Sequence, residues 1–100
     1  MRALSLATLF HVGLCAAQTT VTGRVVDATD GTPLPYCTVA RVGTTEGTIT
    51  NADGGFRIHV AADDSLRFTY IGHIARTLPA HAVDGRDVRV APAVVQLGEA

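Results

Sequence analysis

The side chains that most resemble a metal site lie in the segment TITNADGGFRIHV, at residues 48–60. A calcium loop places oxygen ligands at its first, third and fifth positions, glycine at the sixth and glutamate at the twelfth. When Gly54 is aligned on that glycine, Asn51 and Asp53 fall on ligand positions. The first and twelfth positions then hold Ile49 and Val60, whose hydrocarbon side chains cannot bind a cation. We therefore predict a hairpin connection here and no metal site.

Histidine and serine are the other residue types in this chain that commonly perform catalysis. After residue 17 the chain has three histidines, His59, His73 and His81, and one serine, Ser65. No His-Glu-x-x-His motif joins the histidines, and no Gly-x-Ser-x-Gly elbow surrounds the serine. We predict that the protein is not an enzyme and has no catalytic, metal-binding or cofactor-binding residues.

The first 17 residues have the pattern of a secretory signal peptide. Arg2 supplies a positive charge, residues 3–14 are mostly apolar, and Cys15 and Ala17 place small residues at the −3 and −1 positions of a cleavage site. The apolar run is shorter than the about 20 residues that span a bilayer. We expect this segment to be removed and residues 18–98 to form the mature domain, without a transmembrane segment. A retained amphipathic anchor is the alternative.

Removal of that segment leaves Cys37 as the single cysteine, so no disulfide can form within one chain. Cys37 lies between Tyr36 and Thr38 in a strand-like run, with no basic or helix-terminal neighbour that would activate a thiol. We expect it to be a small buried hydrophobic residue.

The basic residues are all arginine, and without Arg2 seven arginines stand against nine acidic residues, a net charge of −2. This balance excludes the basic footprint of a nucleic-acid-binding protein. Five arginines fall in strand-like runs, and we expect them to be solvating and edge-guarding residues. A binding stripe is the alternative. The five are Arg24, Arg57, Arg67, Arg76 and Arg89.

Apolar and polar residues alternate with a period of two through most of the chain after residue 18, which predicts strands. Asp-Gly pairs at residues 30–31, 53–54 and 84–85 mark turns between them. The strands are expected at residues 19–27, 36–42, 47–50, 55–60, 65–71, 74–79 and 87–97. About seven short strands at this spacing, with no long helix, predict an all-β fold of the antiparallel sandwich or barrel type.

The register of the fourth and fifth strands can be predicted, because a slip of one residue would turn a whole apolar face to water. We expect these strands to form a hairpin whose inward residues face each other across the pair. The opposed pairs are Val60 with Leu66, Ile58 with Phe68 and, on the outer face, His59 with Arg67.

Glycine, aspartate and proline predict the local backbone at three points. Gly54 or Gly55 is expected at positive φ, with Asp53 closing an Asx-type turn. Gly72 is expected to permit a sharp exit from the fifth strand. Pro92 cannot donate to a ladder, so the last strand should be an edge or carry a bulge there.

Several short motifs occur in an order that resembles a known family. They are Val21-x-Gly23-x-Val25, Gly31-x-Pro33-Leu34, Thr38-Val39, Gly47-Thr48-x-Thr50, Asn51-Ala52-Asp53-Gly54-x-Phe56 and Leu66-x-Phe68-x-Tyr70-Ile71-Gly72. Together, over roughly residues 19–83, they resemble the carboxypeptidase regulatory-like domain of Gram-negative bacteria. The resemblance implies a transthyretin-like, or prealbumin-like, β-sandwich of the kind found at the N-terminus of TonB-dependent outer-membrane receptors. It implies no catalytic residue.

The chain departs from that family's pattern at three places. Cys37 stands where the family usually carries alanine, and His73 stands where it usually carries tyrosine. Leu97 to Glu99 begin the motif that leads to the plug domain in receptor members, and the motif stops at Ala100. A truncated reading frame and a stand-alone copy of the module are both consistent with this.

These observations predict a secreted, non-catalytic module that contacts envelope proteins, in the periplasm or at the outer membrane of a Gram-negative bacterium. Contact would use a sheet edge, by strand addition, or the outward arginines. The alternative is a carbohydrate-binding or adhesive sandwich, which usually presents exposed aromatic platforms. The chain has no tryptophan and two tyrosines, Tyr36 and Tyr70, which favours protein contact.

Overall fold

The computed structural model describes residues 18–93, and this part contains seven short strands and one turn of 3₁₀ helix. The strands are β1 (Gln18–Asp27), β2 (Thr38–Arg41), β3 (Gly47–Ile49), β4 (Gly55–Ala61), β5 (Ser65–Thr69), β6 (Arg76–Pro79) and β7 (Arg86–Val90), and the 3₁₀ turn is Ala80–Ala82. They confirm the predicted all-β class. Within the described range, no helix is both long and apolar enough to cross a membrane.

The strands form two sheets that pack face to face. Sheet A has the order β4-β1-β7, and sheet B has the order β3-β2-β5-β6. Every pair is antiparallel except β1 with β7, which run parallel with Val25 opposite Val88. The predicted antiparallel sandwich is confirmed, with one parallel pair. β7 is an edge strand, as Pro92 predicted, although it ends earlier than expected, at Val90.

The predicted hairpin of β4 and β5 is wrong, because the two strands lie in different sheets. β4 pairs with β1, which places His59 opposite Thr20. β5 lies between β2 and β6, which places Arg67 between Ala40 and Thr77. Alternation determines which face of a strand turns inward, but it does not determine the neighbouring strand. The expected pairs Val60–Leu66, Ile58–Phe68 and His59–Arg67 are therefore not formed across a ladder.

The core lies between the sheets and consists of the alternate residues that face inward. In sheet B, Phe68, Leu66 and Val39 are fully buried. The Phe68 ring meets the Phe56 ring of sheet A edge to face, with ring centres 5.6 Å apart and planes at 64°. This geometry adds to the stabilisation from apolar burial. Cys37 is buried in the same cluster, as predicted.

The turn that starts at Asn51 connects β3 of sheet B to β4 of sheet A, so it is not the predicted hairpin connection. Gly54 has a φ of +78°, as predicted, and a Cβ there would lie 2.6 Å from the carbonyl oxygen of Val25. The Asx turn is closed by Asn51 and not by Asp53. Asn51 Oδ1 accepts from the amides of Asp53 and Gly55, both at 2.9 Å. An Asx turn is closed by its first residue, and here that residue is Asn51.

The remaining predicted turns are present. Each of the three Asp-Gly pairs has its glycine at positive φ. Gly72 has a φ of +78°, and the amide of His73 donates to the Tyr70 carbonyl at 3.0 Å, which gives the sharp exit predicted after β5. The corners between strands are therefore set by local backbone chemistry.

The sandwich has a proximal end, where Gln18 begins β1 beside Ala61, and a distal end, where Asp27 finishes β1 beside Val90. Because β7 runs parallel to β1, the described chain starts at the proximal end and leaves at the distal end. The predicted signal peptide at residues 1–17 and the predicted strand residues 94–97 lie outside the described part.

Phe68→Ala removes the largest fully buried side chain and is expected to lower the free energy of unfolding by about 3–5 kcal/mol. A domain of this size has roughly 4–12 kcal/mol in total, so the variant should lose a large share of its stability. Urea denaturation followed by circular dichroism measures the loss. Ile71→Ala is the control, because Ile71 is 88% exposed. Equal losses in the two variants would contradict the assignment of the core.

Candidate interaction surface

Within residues 18–93, no side-chain hydrogen bond joins any two of the histidine and serine residues, whose types could perform catalysis. His59 is in β4, His73 follows β5, His81 is in the 3₁₀ turn and Ser65 begins β5. The oxygen of Asn51 is used inside its own turn. Across residues 18–93, no three histidine, cysteine or acidic side chains form a group that could hold a metal ion.

The thiol of Cys37 is enclosed in the core. Its Sγ lies 3.4 Å from the carbonyl oxygen of Thr69 and donates to it. Burial raises the pKa of the Cys37 thiol, which disfavours the reactive thiolate. Cys37 therefore acts as a packing residue, as the sequence predicts.

One side of the sandwich, formed by β6 and β7, carries contacts between the sheets. Arg76 Nη1 donates to the carbonyl oxygen of Arg89 at 2.7 Å. Farther toward the distal end, His73 and Pro92 form an isolated bridge that is flanked by two backbone hydrogen bonds of 2.8 Å. These contacts join the two edge strands of this side.

The opposite side, formed by β3 and β4, is open. β4 is an edge of sheet A, β3 is an edge of sheet B, and the two strands lie beside each other. In an antiparallel pair, alternate residues direct their N–H and C=O groups toward the partner strand and away from it. The Val25 amide donates to the Gly54 carbonyl at 2.8 Å, so even-numbered residues of this segment direct their main-chain groups toward β1. The main chains of Arg57 and His59 therefore point away from β1.

The same alternation applies to β3. The Thr50 amide donates to the Cys37 carbonyl at 2.9 Å, so even-numbered residues of this segment face β2. The main chains of Gly47 and Ile49 therefore point out of sheet B, on the same side of the sandwich as those of Arg57 and His59.

The two ends of the β4 edge are capped by polar side chains. Asn51 Oδ1 accepts from the Gly55 amide at 2.9 Å, and the Asn51 amide donates back to the Gly55 carbonyl at 2.9 Å. Asp64 Oδ2 accepts from the Ala61 amide at 2.8 Å. Between these caps, Arg57 and His59 form a window of outward-facing main-chain groups that no hydrogen bond of the described residues occupies.

A groove runs between the edges of β3 and β4. It has one stretch of about 410 Å³ and a second of about 370 Å³, and both are lined by Thr48 and Arg57. Phe56 and Ile58 also line the groove, and at 7% each they are the most exposed members of the core cluster. The groove therefore combines main-chain donors and acceptors with the rim of the apolar core.

Asp27 and His73 link the sheets at the distal end. His73 Nε2 lies 2.8 Å from Asp27 Oδ2, and both side chains are mostly buried, at 12% and 15% exposure. The hydroxyl of Thr29 donates to Asp27 Oδ1, and the Thr29 amide donates to the same oxygen at 2.7 Å. The Tyr70 ring meets the His73 ring edge to face, with centres 5.1 Å apart.

These contacts shift the pKa values of both Asp27 and His73. The hydrogen bond from the Thr29 hydroxyl, followed by that from His73, lowers the pKa of Asp27 from 3.8 to about 2. The hydrogen bond to Asp27 raises the pKa of His73 above its ordinary value of 6.5. The pair is therefore a charged contact over a wider pH range than free histidine and aspartate would allow.

Arg41 and Asp64 link the sheets at the proximal end. Arg41 Nε and Nη2 each lie 2.8 Å from Asp64 Oδ2, and Arg41 also pairs with Glu46. The same oxygen of Asp64 accepts from Ala61 of sheet A. One carboxylate thus holds the end of β2 and the end of β4.

The five arginines predicted to face outward are all exposed, but they are divided between faces. Arg24, Arg57 and Arg89 lie on the outer face of sheet A, where Asp87 is opposite Arg24. Arg67 is on the outer face of sheet B. The hypothesis of a binding stripe can therefore not apply to all five on one face.

The window in β4 was missed by sequence reasoning, which assigned β4 to a hairpin with β5. One signal could have indicated it. Asn51 precedes β4 and Asp64 follows it, and both are residue types that cap exposed backbone amides. Polar caps at both ends of an alternating run are consistent with an edge strand.

Two comparisons with known proteins show what the chain is similar to. Residues 21–99 match the family described as the CarboxypepD_reg-like domain. The sequence is also 40% identical, over 67 residues that make up 67% of the chain, to the TonB-dependent receptor SusC of Bacteroides thetaiotaomicron. The matched region is 7% of the length of that receptor, so the chain spans a small part of it.

The open side predicts an alternating pattern of amide protection in β4. The amides of Arg57 and His59 are expected to exchange with solvent faster than those of Phe56 and Ile58, because the latter donate to β1. Hydrogen exchange followed residue by residue with NMR measures this. Uniform protection along β4 would show that its outer edge is already paired.

His73→Gln is expected to remove a pH-dependent part of the stability. The raised pKa of His73 contributes stability that is fully present below pH 6.5 and is lost as the pH rises through the raised value. The lowered pKa of Asp27 contributes stability that is present above pH 3.8 and is lost as the pH falls toward about 2. Both contributions are therefore complete between pH 3.8 and pH 6.5.

Thermal unfolding of the wild type and of His73→Gln measures this effect. The difference in Tm should be largest in this pH range and should shrink at higher pH. His81→Gln is the control, since His81 is exposed and lies in the 3₁₀ turn. A difference that stays constant with pH would mean that His73 acts through packing and not through its charge.

Proposed function

Because the chain belongs to the CarboxypepD_reg-like domain family, we propose that it is a non-catalytic module of the cell envelope that works by contact with other proteins. Its place would be that of an N-terminal accessory domain of a TonB-dependent receptor, or of a separate copy of such a domain. The 40% identity to a TonB-dependent receptor supports this context.

The observation that carries the proposal is the open side of the sandwich. Two strand edges, β3 and β4, lie beside each other with outward-facing main-chain groups, whereas β6 and β7 on the other side are joined to each other. Exposed sheet edges are sites where an extended segment of a partner can add as a further strand. The non-catalytic part of the proposal is supported by the lack of side-chain hydrogen bonds between His59, His73, His81 and Ser65 within the described residues.

Export is part of the same proposal. The pattern of a signal peptide at residues 1–17 supports a location in the periplasm or at the outer membrane of a Gram-negative bacterium. An oxidising compartment is compatible with the mature chain, because Cys37 is buried and has no second cysteine to pair with.

Carbohydrate binding is the second candidate, and one observation favours it. Tyr36 is 71% exposed, and an exposed aromatic ring is a surface on which a sugar can stack. Phe56 and Phe68 are in the core, and Tyr70 packs against it. One exposed aromatic ring supports glycan binding less strongly than the open side supports protein contact.

Affinity capture tests the proposal. The immobilised chain is expected to enrich specific proteins from a detergent extract of Gram-negative envelopes, measured by quantitative mass spectrometry. Phe68→Ala, in which the core is disrupted, is the matched control for nonspecific adsorption. Recovery of the same proteins by both chains, or of none by either, would count against the proposal.

A glycan array separates the second candidate from the first. Saturable binding of a glycan that is lost in Tyr36→Ala would replace protein contact by carbohydrate recognition. The substitution should leave the fold intact, because the Tyr36 side chain is largely in solvent.

A further inference from the structure

We propose that the open side accepts an extended segment of another protein as a fourth strand of sheet A, beside β4, and that this segment carries carboxylates at alternating positions. The inference rests on the proposed function and specifies the surface and the chemistry of the partner. It follows from the main chain of β4, from the side chains on its two faces and from the poor fit of a second β4 strand at this edge.

The main chain of β4 limits where the segment can bind. The caps by Asn51 and Asp64 occupy the amides of Gly55 and Ala61. The outward N–H and C=O groups of Arg57 and His59 remain, so up to four hydrogen bonds can form with an added strand. A short extended segment therefore fits this edge.

The outer face of β4 determines the chemistry of the partner. Arg57 and His59 are two residues apart, and both are exposed on this face. Neighbouring β1 adds Arg24, which has Asp87 opposite it. Glu46 lines the groove beside Arg57 and His59, whereas β4 itself has no acidic residue. An added strand places its own alternate side chains beside Arg57 and His59, where carboxylates can accept hydrogen bonds from both.

The inner face of β4 determines which residues of the added segment are expected between those carboxylates. They would point into the groove between β3 and β4, toward the rim formed by Phe56 and Ile58. Small or medium apolar side chains would complete the burial of this rim. The expected segment thus alternates acidic and apolar residues.

A second copy of this chain fits the edge poorly. Antiparallel pairing of two β4 strands centred on Ile58 would place Arg57 of each copy opposite His59 of the other, and pairing centred on Arg57 would oppose two arginines. Neither register supplies a carboxylate, and the register that opposes two arginines places like charges opposite each other, which is destabilising. The side chains of β4 therefore favour a different chain over self-association.

The test is an NMR titration of the full chain with two synthetic peptides, Ser-Glu-Val-Glu-Val-Ser and the same peptide with lysine in place of glutamate. The glutamate peptide is expected to shift the amide signals of Arg57 and His59. Arg57→Glu should weaken its binding by about fivefold or more and improve that of the lysine peptide. Arg67→Glu is the matched control, because it makes the same charge change on the outer face of sheet B, and it should have no effect.

His59→Pro tests the main-chain contribution. It removes an outward N–H without removing a bond to β1, so the fold is expected to persist, which circular dichroism checks. Loss of peptide binding with the fold retained supports strand addition. If the variant does not fold, the Arg57→Glu and Arg67→Glu comparison still decides the result.

Three outcomes would overturn the inference. They are equal binding of the two peptides, equal effects of Arg57→Glu and Arg67→Glu, and a dimer of the free chain, detected by light scattering, that Arg57→Glu alters. If envelope proteins are captured while the titration fails, this inference falls and the proposed function stands. If the titration succeeds while nothing is captured, the proposed envelope function falls and the acidic-strand site stands.

Discussion

The whole structure depends on contact between the inward faces of its two sheets. Phe68 of sheet B and Phe56 of sheet A meet edge to face, and most of the buried side chains around them are aliphatic. In the part of the chain that is described, no disulfide and no metal cluster supplements this packing. Stability therefore comes from removing alternate side chains from water, and each large inward residue carries a sizeable share of it.

Closure of the sandwich is achieved differently at its ends and its sides. The apolar core stops at the ends, where hydrogen bonds and ion pairs join polar groups of the two sheets. They involve Asp64 at one end and the pair of Asp27 with His73 at the other. At the sides, the Arg76 contact and the bridge at Pro92 join β6 to β7, whereas β3 and β4 leave a groove. This asymmetry leaves one side of the sandwich joined by contacts between the sheets and the other side open.

The sequence was sufficient to predict what depends on local pattern. The strands, the positive φ of Gly54, the sharp exit at Gly72 and the burial of Cys37 all follow from alternation or from turn chemistry. Strand pairing could not be predicted this way, because β4 and β5 have equally apolar inner faces, and each face can be buried in either sheet. The open side was hidden for the same reason, since an edge is defined by the absence of a neighbour. The contact of Asp27 with His73 spans 46 residues and has no local signal.

The parallel alignment of β1 and β7 has a mechanical consequence. The described chain starts at one end of the sandwich and leaves at the other, and its first and last strands are hydrogen-bonded neighbours, from Gly23 beside Arg86 to Asp27 beside Val90. Tension applied between the two termini would slide these strands past each other, so their hydrogen bonds would be loaded together and not broken one at a time. The described part of the chain, in which Cys37 is a free cysteine, can in this way transmit a pull along its axis before it yields.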